Sequence, residues 1–408
     1  MALTAMGAQP IVDTDQHVTE TIDIWTARVS KKYRDVAPRV ETNPKTGRRQ
    51  WRIGDKWYWT VAGGFVSQAG WPEHPPSAPV EFDEIDTAMY DAHDRLKRLD
   101  SYGIDAAILY PNLVGFAANA VVALGVEAAN DMVRAYNDYM HEWASADPQR
   151  LFPMAMVPFW DLDATCIEID RCVNLGFKGL LFANKLENIG YPSFLDRHWD
   201  PLYARAQDYD IPVNYHIGFD LDSFHEEENV SLIREGDQID TPLILANSLM
   251  ANANQIGRIV MSDICERFPR LKLVHVETGF GQYPYYLESL DWYWEVYGLA
   301  ETLPDRKFPS EYFRRQCYGT HWHERTPESV FEQVADNFMF STDYPHITSL
   351  GPGPAGGTTL TPAEYALEVY GGWSPELRDK ALYKNACEVY KIDLHKRDQD
   401  ISLDTVGA

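Results

Sequence analysis

A (β/α)8 barrel is the fold this sequence predicts, and three observations predict it. Short apolar runs alternate with stretches of helical periodicity from about residue 10 to residue 392, and eight such runs can be counted. At 408 residues the chain is long for one ordinary domain, yet within reach of a barrel that carries insertions. Several of the runs end on Asp, His or Glu, and barrel enzymes keep their chemistry at the carboxyl ends of their strands.

The first run is Ile11-Val12-Asp13-Thr14-Asp15-Gln16-His17. In an extended strand alternate side chains share a face, so Asp13, Asp15 and His17 point together. Asp15 and His17 then make a two-pronged grip for a divalent metal. Taken alone, the triplet reads more readily as a turn cap beside a surface imidazole, and the other strand ends reverse that balance. Residues 36–66 differ in character: alternating runs flank the turn Asn43-Pro44-Lys45-Thr46-Gly47, which predicts a small β-hairpin insertion. A proline-rich loop over 72–79 follows.

Helical periodicity begins at Ile85 and stops at Gly103, a C-cap, before the apolar run Ile104–Tyr110. The alternation then repeats, with strands over Leu151–Val157, Phe177–Phe182 and Ile211–His216. An insertion from Phe219 to Pro242 leads into a helix over Asn247–Phe268, whose apolar residues keep three- and four-residue spacing. Strands over Leu271–Glu277, Arg314–Gly319 and Asn337–Thr342 complete the eight. A last helix opens at Ser374-Pro375-Glu376 and runs to Ile392. One unit over 10–392 results, with a polar tail over 393–408. The segment Gly351–Gly357, rich in Gly and Pro, is either a mobile lid or a passive connection.

Composition narrows the partners. A net charge of −25 without any run of Lys or Arg argues against nucleic acid or an anionic membrane as partner. An anionic substrate therefore needs local positive charge, from a metal or from single arginines. Five cysteines, odd in number and without a C-x-x-C pair, read as thiols in a reducing compartment. No signal peptide or apolar stretch of membrane-spanning length is present, so the expectation is a cytoplasmic protein. The expected assembly is a homodimer or homotetramer.

The strand ends carry the chemistry. Besides Asp15 and His17, the fifth strand ends on His216, the sixth on His275 and Glu277, and the eighth on Asp343. Nitrogen and oxygen ligands of this kind suit Zn²⁺, with Mn²⁺ and Fe²⁺ as alternatives, leaving positions open for substrate. Aromatic residues that follow strand ends, Trp25, Phe159, Phe219, Phe280 and Tyr283, either wall a pocket for a ring or serve ordinary packing. His321 follows the seventh strand within reach of the mouth and is a further candidate for substrate contact. His346 is as readily a turn residue as a catalytic one, and Glu277 can orient its neighbours.

These residues also resemble a known family. Asp15-x-His17, Tyr215-His216-Ile217-Gly218, His275-Val276-Glu277-Thr278-Gly279-Phe280 and Ser341-Thr342-Asp343-Tyr344-Pro345-His346 together resemble the amidohydrolase superfamily. More narrowly they resemble the branch with the aminocarboxymuconate-semialdehyde and hydroxybenzoate decarboxylases. The resemblance implies a distorted TIM barrel and one divalent metal, Zn²⁺ first, held by Asp15, His17, His216 and Asp343. It makes His275 a catalytic imidazole that does not ligate. The family's hydrolases usually carry His-x-His at the first strand, where this chain has Asp15-x-His17. Lys178 sits early in the fourth strand, not at the end where a carbamate would bridge two metals, so one metal is expected.

Three functions stay open at this point. The first is non-oxidative decarboxylation of an aromatic or unsaturated acid, with the proton from Asp343 or from His275 and a metal-bound water. The second is hydrolysis of a C–N, C–O or C–C bond, with Asp343 as general base and His275 stabilising an oxyanion. The third is a metal-free binding barrel, which would need a ligand position replaced by an inert side chain.

Overall fold

The computed structural model describes residues 9–116, 118–183, 185–218, 240–354 and 356–394. Its strands, in chain order, are β1 (Val12–His17), β2 (Arg39–Thr42), β3 (Arg49–Ile53), β4 (Lys56–Thr60), β5 (Ala106–Tyr110) and β6 (Leu151–Pro153). They continue with β7 (Ala155–Met156), β8 (Leu180–Leu181), β9 (Val213–Tyr215), β10 (Leu273–His275), β11 (Cys317–His321) and β12 (Phe338–Phe340).

β1, β5 and β6 pair in parallel, and β7 to β12 form a second parallel run in chain order. Only Met154 separates the two runs, and its backbone is shared between them. Its N–H donates to Leu109 O at 2.9 Å, and the next N–H, of Ala155, donates to Gly179 O at 3.0 Å. After β12 the chain returns to β1. The Thr14 hydroxyl donates to Phe340 O at 2.8 Å, Asp343 N–H to Asp15 O at 2.9 Å and His17 N–H to Tyr344 O at 2.6 Å. With β6 and β7 counted as one, eight strands make the ring of a distorted TIM barrel. Individual bonds rather than a regular ladder close it between β12 and β1.

Helices fill the outside because the connecting segments carry both caps and apolar faces. The helix Ala92–Tyr102 begins where Asp91 accepts from Asp94 N–H at 2.9 Å, and stops at Gly103, whose φ of +71° only glycine adopts freely. Leu162–Asn174 is capped in the same way by Asp161. At Gly319, in β11, an added Cβ would sit 2.5 Å from the Phe338 ring and from Thr278 Oγ1, so neighbouring strands approach closely there.

Several expected boundaries move. The insertion is a three-stranded antiparallel sheet, β2-β3-β4, not a single hairpin, because Gly54-Asp55 turns the chain a second time. The seventh strand starts at Cys317 rather than Arg314, since a helix over Pro309–Gln316 precedes it. That helix opens with Pro309, and the Glu311 carboxylate accepts from Phe308 N–H at 3.0 Å. The long helix spans Asp240–Met261, starting earlier than the periodicity suggested. Residues 219–239, including Phe219, and the tail from 395 lie outside the described residues. Lys178 is bonded to Lys391 O at 3.2 Å, away from the strand ends that carry the histidines. Among the described residues, no helix is long and apolar enough to cross a membrane, and all five cysteines are free.

Candidate metal centre

β1 is buried along its whole length, carboxylates and imidazole included. Burial of so many polar groups demands partners. Asp13 finds them in protein: it accepts from Thr342 N–H at 2.9 Å, from the Thr342 hydroxyl at 2.5 Å and from the Gln16 amide at 2.7 Å. Asp15 faces the other strand ends. Its Oδ1 lies 3.4 Å from His17 Nε2 and 3.3 Å from His216 Nε2, and its Oδ2 has no hydrogen-bond partner.

The two imidazoles decide what lies between them. His17 Nδ1 is 3.0 Å from Pro111 O, and His216 Nδ1 is 2.7 Å from Ile217 O. A carbonyl only accepts, so each Nδ1 carries a proton, and each Nε2 presents a lone pair when its ring is neutral. Those two Nε2 atoms are 3.0 Å apart. Lone pairs turned on one another at that distance repel unless positive charge sits between them. Metal bonds of about 2.0–2.1 Å set ligand-to-ligand edges of about 2.9–3.4 Å, in octahedral or tetrahedral geometry. The spacings among Asp15, His17 and His216 match those edges, so the residues fit a divalent cation.

Around this trio stand three more groups. Asp343 Oδ1 is 3.7 Å from His17 Nε2 and 2.8 Å from His346 Nδ1, while its Oδ2 accepts from the Thr348 hydroxyl. The His346 ring stacks on His17 at 3.8 Å, and its Nε2 donates to Asn112 Oδ1 at 2.8 Å. Glu277 Oε2 lies 3.5 Å from His216 Nδ1. Ligand atoms of Asp15, His17 and His216 gather within 4.8 Å, as do those of His17, Asp343 and His346 and those of Asp15, Glu277 and Asp343. Asp343 and Glu277 hold left-handed backbone, φ +56° and +62°, rare for residues with a side chain and concentrated at functional sites.

Electrostatics separates these acids. Burial, then the charge of Asp15, pushes the Asp343 carboxyl up to about 7. Glu277 rises well above the carboxylate range through burial and the charges of Asp343 and Asp15. Burial would raise Asp15 too, but the His216 and His17 imidazoles draw it below its ordinary value. His17 falls to about 4 through burial and the neighbouring His346, which favours a neutral ring.

The family model described as amidohydrolase matches residues 72–392. The chain belongs to the amidohydrolase family. That match starts downstream of β1, so Asp15 and His17 enter the site through the fold and not through the matched segment. A curated relative, the gamma-resorcylate decarboxylase of Polaromonas sp. (strain JS666 / ATCC BAA-500), is 26% identical over 299 residues, covering 70% of this chain and 83% of its own. An amidohydrolase from Mycobacterium avium subsp. paratuberculosis K-10 superposes with a TM-score of 0.68 at 20% identity, covering 93% of this chain and 99% of that one. A dihydroxybenzoic acid decarboxylase from Polaromonas sp. JS666, solved with manganese and the inhibitor 2-nitroresorcinol, gives 0.56 at 17%, covering 94% and 97%. These likenesses make the TIM barrel the amidohydrolase fold.

Within this amidohydrolase the structure brings Asp15, His17, His216 and Asp343 together. His275 ends β10, fully buried, stacked on Tyr215 at 4.9 Å, with no partner for either ring nitrogen; burial lowers it to about 3. His321 and Phe280 do not join them. His321 is the last residue of β11 rather than part of the following loop, its ring packs against Phe280, Phe331, Phe340 and Tyr370, and the Tyr370 hydroxyl lies 3.2 Å from its Nδ1. Both belong to the aromatic packing beneath the helices. His346 and Glu277 stand closer to the cluster than their sequence positions suggested. Reading by sequence missed Asn112 and Glu20 altogether; Glu20 accepts from Asn112 N–H at 2.8 Å and from Leu113 N–H at 2.7 Å. It also missed the role of Arg95, a buried guanidinium that donates to His17 O at 2.7 Å and to Gln16 Oε1 at 3.0 Å. The spacing of residue types carries no signal for any of the three.

Proposed function

We propose that this amidohydrolase catalyses non-oxidative decarboxylation of an aromatic or unsaturated carboxylic acid. The observation that carries the reading is the pairing of two kinds of acid around the imidazoles of His17 and His216, at spacings that fit a divalent cation. Asp15 is held ionised by those imidazoles, while Asp343 is lifted to about 7 by burial and by Asp15. Acids pushed apart in this way take different tasks. Asp15, His17 and His216, with Asp343 beside them, would hold a divalent cation, Zn²⁺ or Mn²⁺. When bound, it supplies positive charge toward the substrate carboxylate or a neighbouring oxygen.

Asp343 is then the proton carrier. Its proton moves to the ring or alkene carbon that bears the carboxylate, and the C–C bond breaks with its electron pair returning to the substrate framework. Carbon dioxide leaves, and solvent restores the proton to Asp343. His275, with both ring nitrogens unpartnered in the barrel, donates to a substrate oxygen and orients the ring. Decarboxylases among the relatives support the reaction class; their own substrates set the first compounds to try.

The test is a panel of hydroxybenzoates in D₂O with the metal-loaded enzyme. One deuterium at the carbon that lost CO₂, with product and CO₂ equal mole for mole, is the expected result. If no carboxylate releases CO₂ while amides, esters or diketones are cut with uptake of water, the decarboxylase reading falls and hydrolysis replaces it. Asp343→Asn is expected to lower turnover by at least about 100-fold; near-normal turnover would remove Asp343 as the proton carrier.

A further inference from the structure

The two nitrogen ligands reach the centre from opposite walls of the barrel. His17 ends β1 and His216 follows β9; with β6 and β7 counted as one, three strands separate β1 from β9 on either side. They are not ladder neighbours, yet their Nε2 atoms stand 3.0 Å apart. A metal grip works only when its ligands are held within about 0.5 Å of the productive geometry. Strand pairing around half the ring is a long path over which to hold that spacing, and a side chain crossing the interior is a short one.

Tyr110 makes that crossing. It ends β5, where its Cα pairs with that of His17, so its side chain starts beside the first ligand. The fully buried ring lies 5.9 Å from the His17 ring and 5.2 Å from the His216 ring, centre to centre. Its hydroxyl donates to Asn214 Oδ1 at 3.1 Å. Asn214 stands two residues before His216, so both side chains leave β9 on one face. The strut thus runs from the ladder partner of one ligand to the strand of the other. Its far end is fixed in turn, because Asn214 Nδ2 donates to Leu180 O on β8 at 3.1 Å. Gly179 leaves room for the amide, since a Cβ there would lie 2.8 Å from that nitrogen.

A second hydroxyl arrives from the end of the barrel opposite the ligands. Lys178 and Lys272 precede β8 and β10; Lys178 Nζ donates to Lys391 O at 3.2 Å, and Lys272 Nζ to Glu388 O and Val389 O at 3.5 Å. These bonds lay the helix Asn385–Tyr390 across that end. Tyr390 is buried there, and its hydroxyl donates to Asn214 Oδ1 at 2.7 Å. Both lone pairs of that oxygen are then engaged. Residues on this face of a barrel ordinarily serve stability, but Tyr390 is one amide away from the strut. We propose that Tyr110 is the positioning residue that sets the spacing of His17 and His216, and that Tyr390 holds it in place through Asn214. Ring contacts fix where the imidazoles stand, and the hydroxyl fixes the ring that makes those contacts. Both hydroxyls end on Asn214, so neither is a proton carrier. This role is independent of which bond the enzyme breaks.

Zn²⁺ affinity of the full chain, read by competition with a chromogenic chelator, and the visible spectrum of the Co²⁺-loaded protein test this. Tyr110→Phe and Tyr390→Phe keep every ring and remove one hydroxyl each. Each is expected to weaken Zn²⁺ binding by about 10–100-fold, the scale of losing an outer partner, and to change the Co²⁺ bands, which report ligand geometry. Because both act through one strut, the double variant should bind about as weakly as the weaker single variant. Leu287→Ala, a cavity under the outer helix layer, is the control for stability alone. It should lower the melting temperature and leave Zn²⁺ affinity and the Co²⁺ bands as they are. Should Tyr110→Phe fail to fold, Tyr390→Phe, on the far side of the amide from the ligands, still decides. Unchanged affinity and bands in either single variant would overturn the strut and leave the metal centre standing. Losses that multiply in the double variant, or an equal loss in Leu287→Ala, would overturn it as well. An unmodified chain that takes up no Zn²⁺ would remove the metal centre and this role together.

Discussion

At the scale of single residues, the two carbonyl acceptors behind His17 and His216 matter as much as the rings themselves. Pro111 O and Ile217 O fix both tautomers, so the site is ready to ligate before any ion arrives. His216→Asn should therefore leave less than about a tenth of an equivalent of divalent metal after purification without chelator, because one of the two nitrogen ligands is gone. Elemental analysis checks this directly. His346→Phe keeps a ring stacked on His17 but removes the contacts to Asp343 and Asn112. Metal affinity is expected to fall about 10–100-fold, the usual cost of losing an outer partner, as read by competition with a chromogenic chelator. An unchanged affinity would reduce His346 to packing. The residues of the cluster were legible in the sequence because each stands within three residues of a strand end, where residue type and position coincide. Arg95, Asn112 and Glu20 were not, since their contacts to β1 and to one another cross the sequence with no spacing rule behind them.

At the scale of elements, β10 and β11 show how the scaffold sustains strained backbone. Glu277 keeps φ at +62° while its N–H donates to the Thr320 hydroxyl at 2.8 Å. Thr320→Val preserves shape and removes that acceptor, so a buried N–H is left alone at a cost of about 1–3 kcal/mol. Urea unfolding is the measurement, and a loss below about 0.5 kcal/mol would mean the N–H has another outlet. Strand order and the helix layer followed from hydrophobic periodicity, which is strong for long alternating segments. The seventh strand was misplaced because Arg314-Arg315-Gln316 ends a helix begun at Pro309, and short polar stretches carry no periodicity of their own. The second turn of the insertion, Gly54-Asp55, was visible as a turn, but only pairing shows that the strand after it adds to the same sheet.

At the scale of the whole molecule, metal and fold are linked. Free metal at about 100 times its dissociation constant stabilises the folded chain by about 2.7 kcal/mol. For a chain of 408 residues that corresponds to about 3 °C in melting temperature. Removing the metal with chelator should lower the calorimetric midpoint by that amount and restoring it should reverse the change; no shift would show that the cation does not favour the folded state. The place where the ring closes has a consequence in time. Asp13 is bonded to Thr342, 329 residues later, and Asp15 receives the N–H of Asp343. During synthesis at about 5–20 residues per second, β1 waits roughly 15–65 s for Thr342 and Asp343 to be added. Until then β1 carries two acids and an imidazole with no closed barrel to receive them. A nascent chain halted before residue 338 should therefore bind no metal, however much of the remaining barrel has already folded.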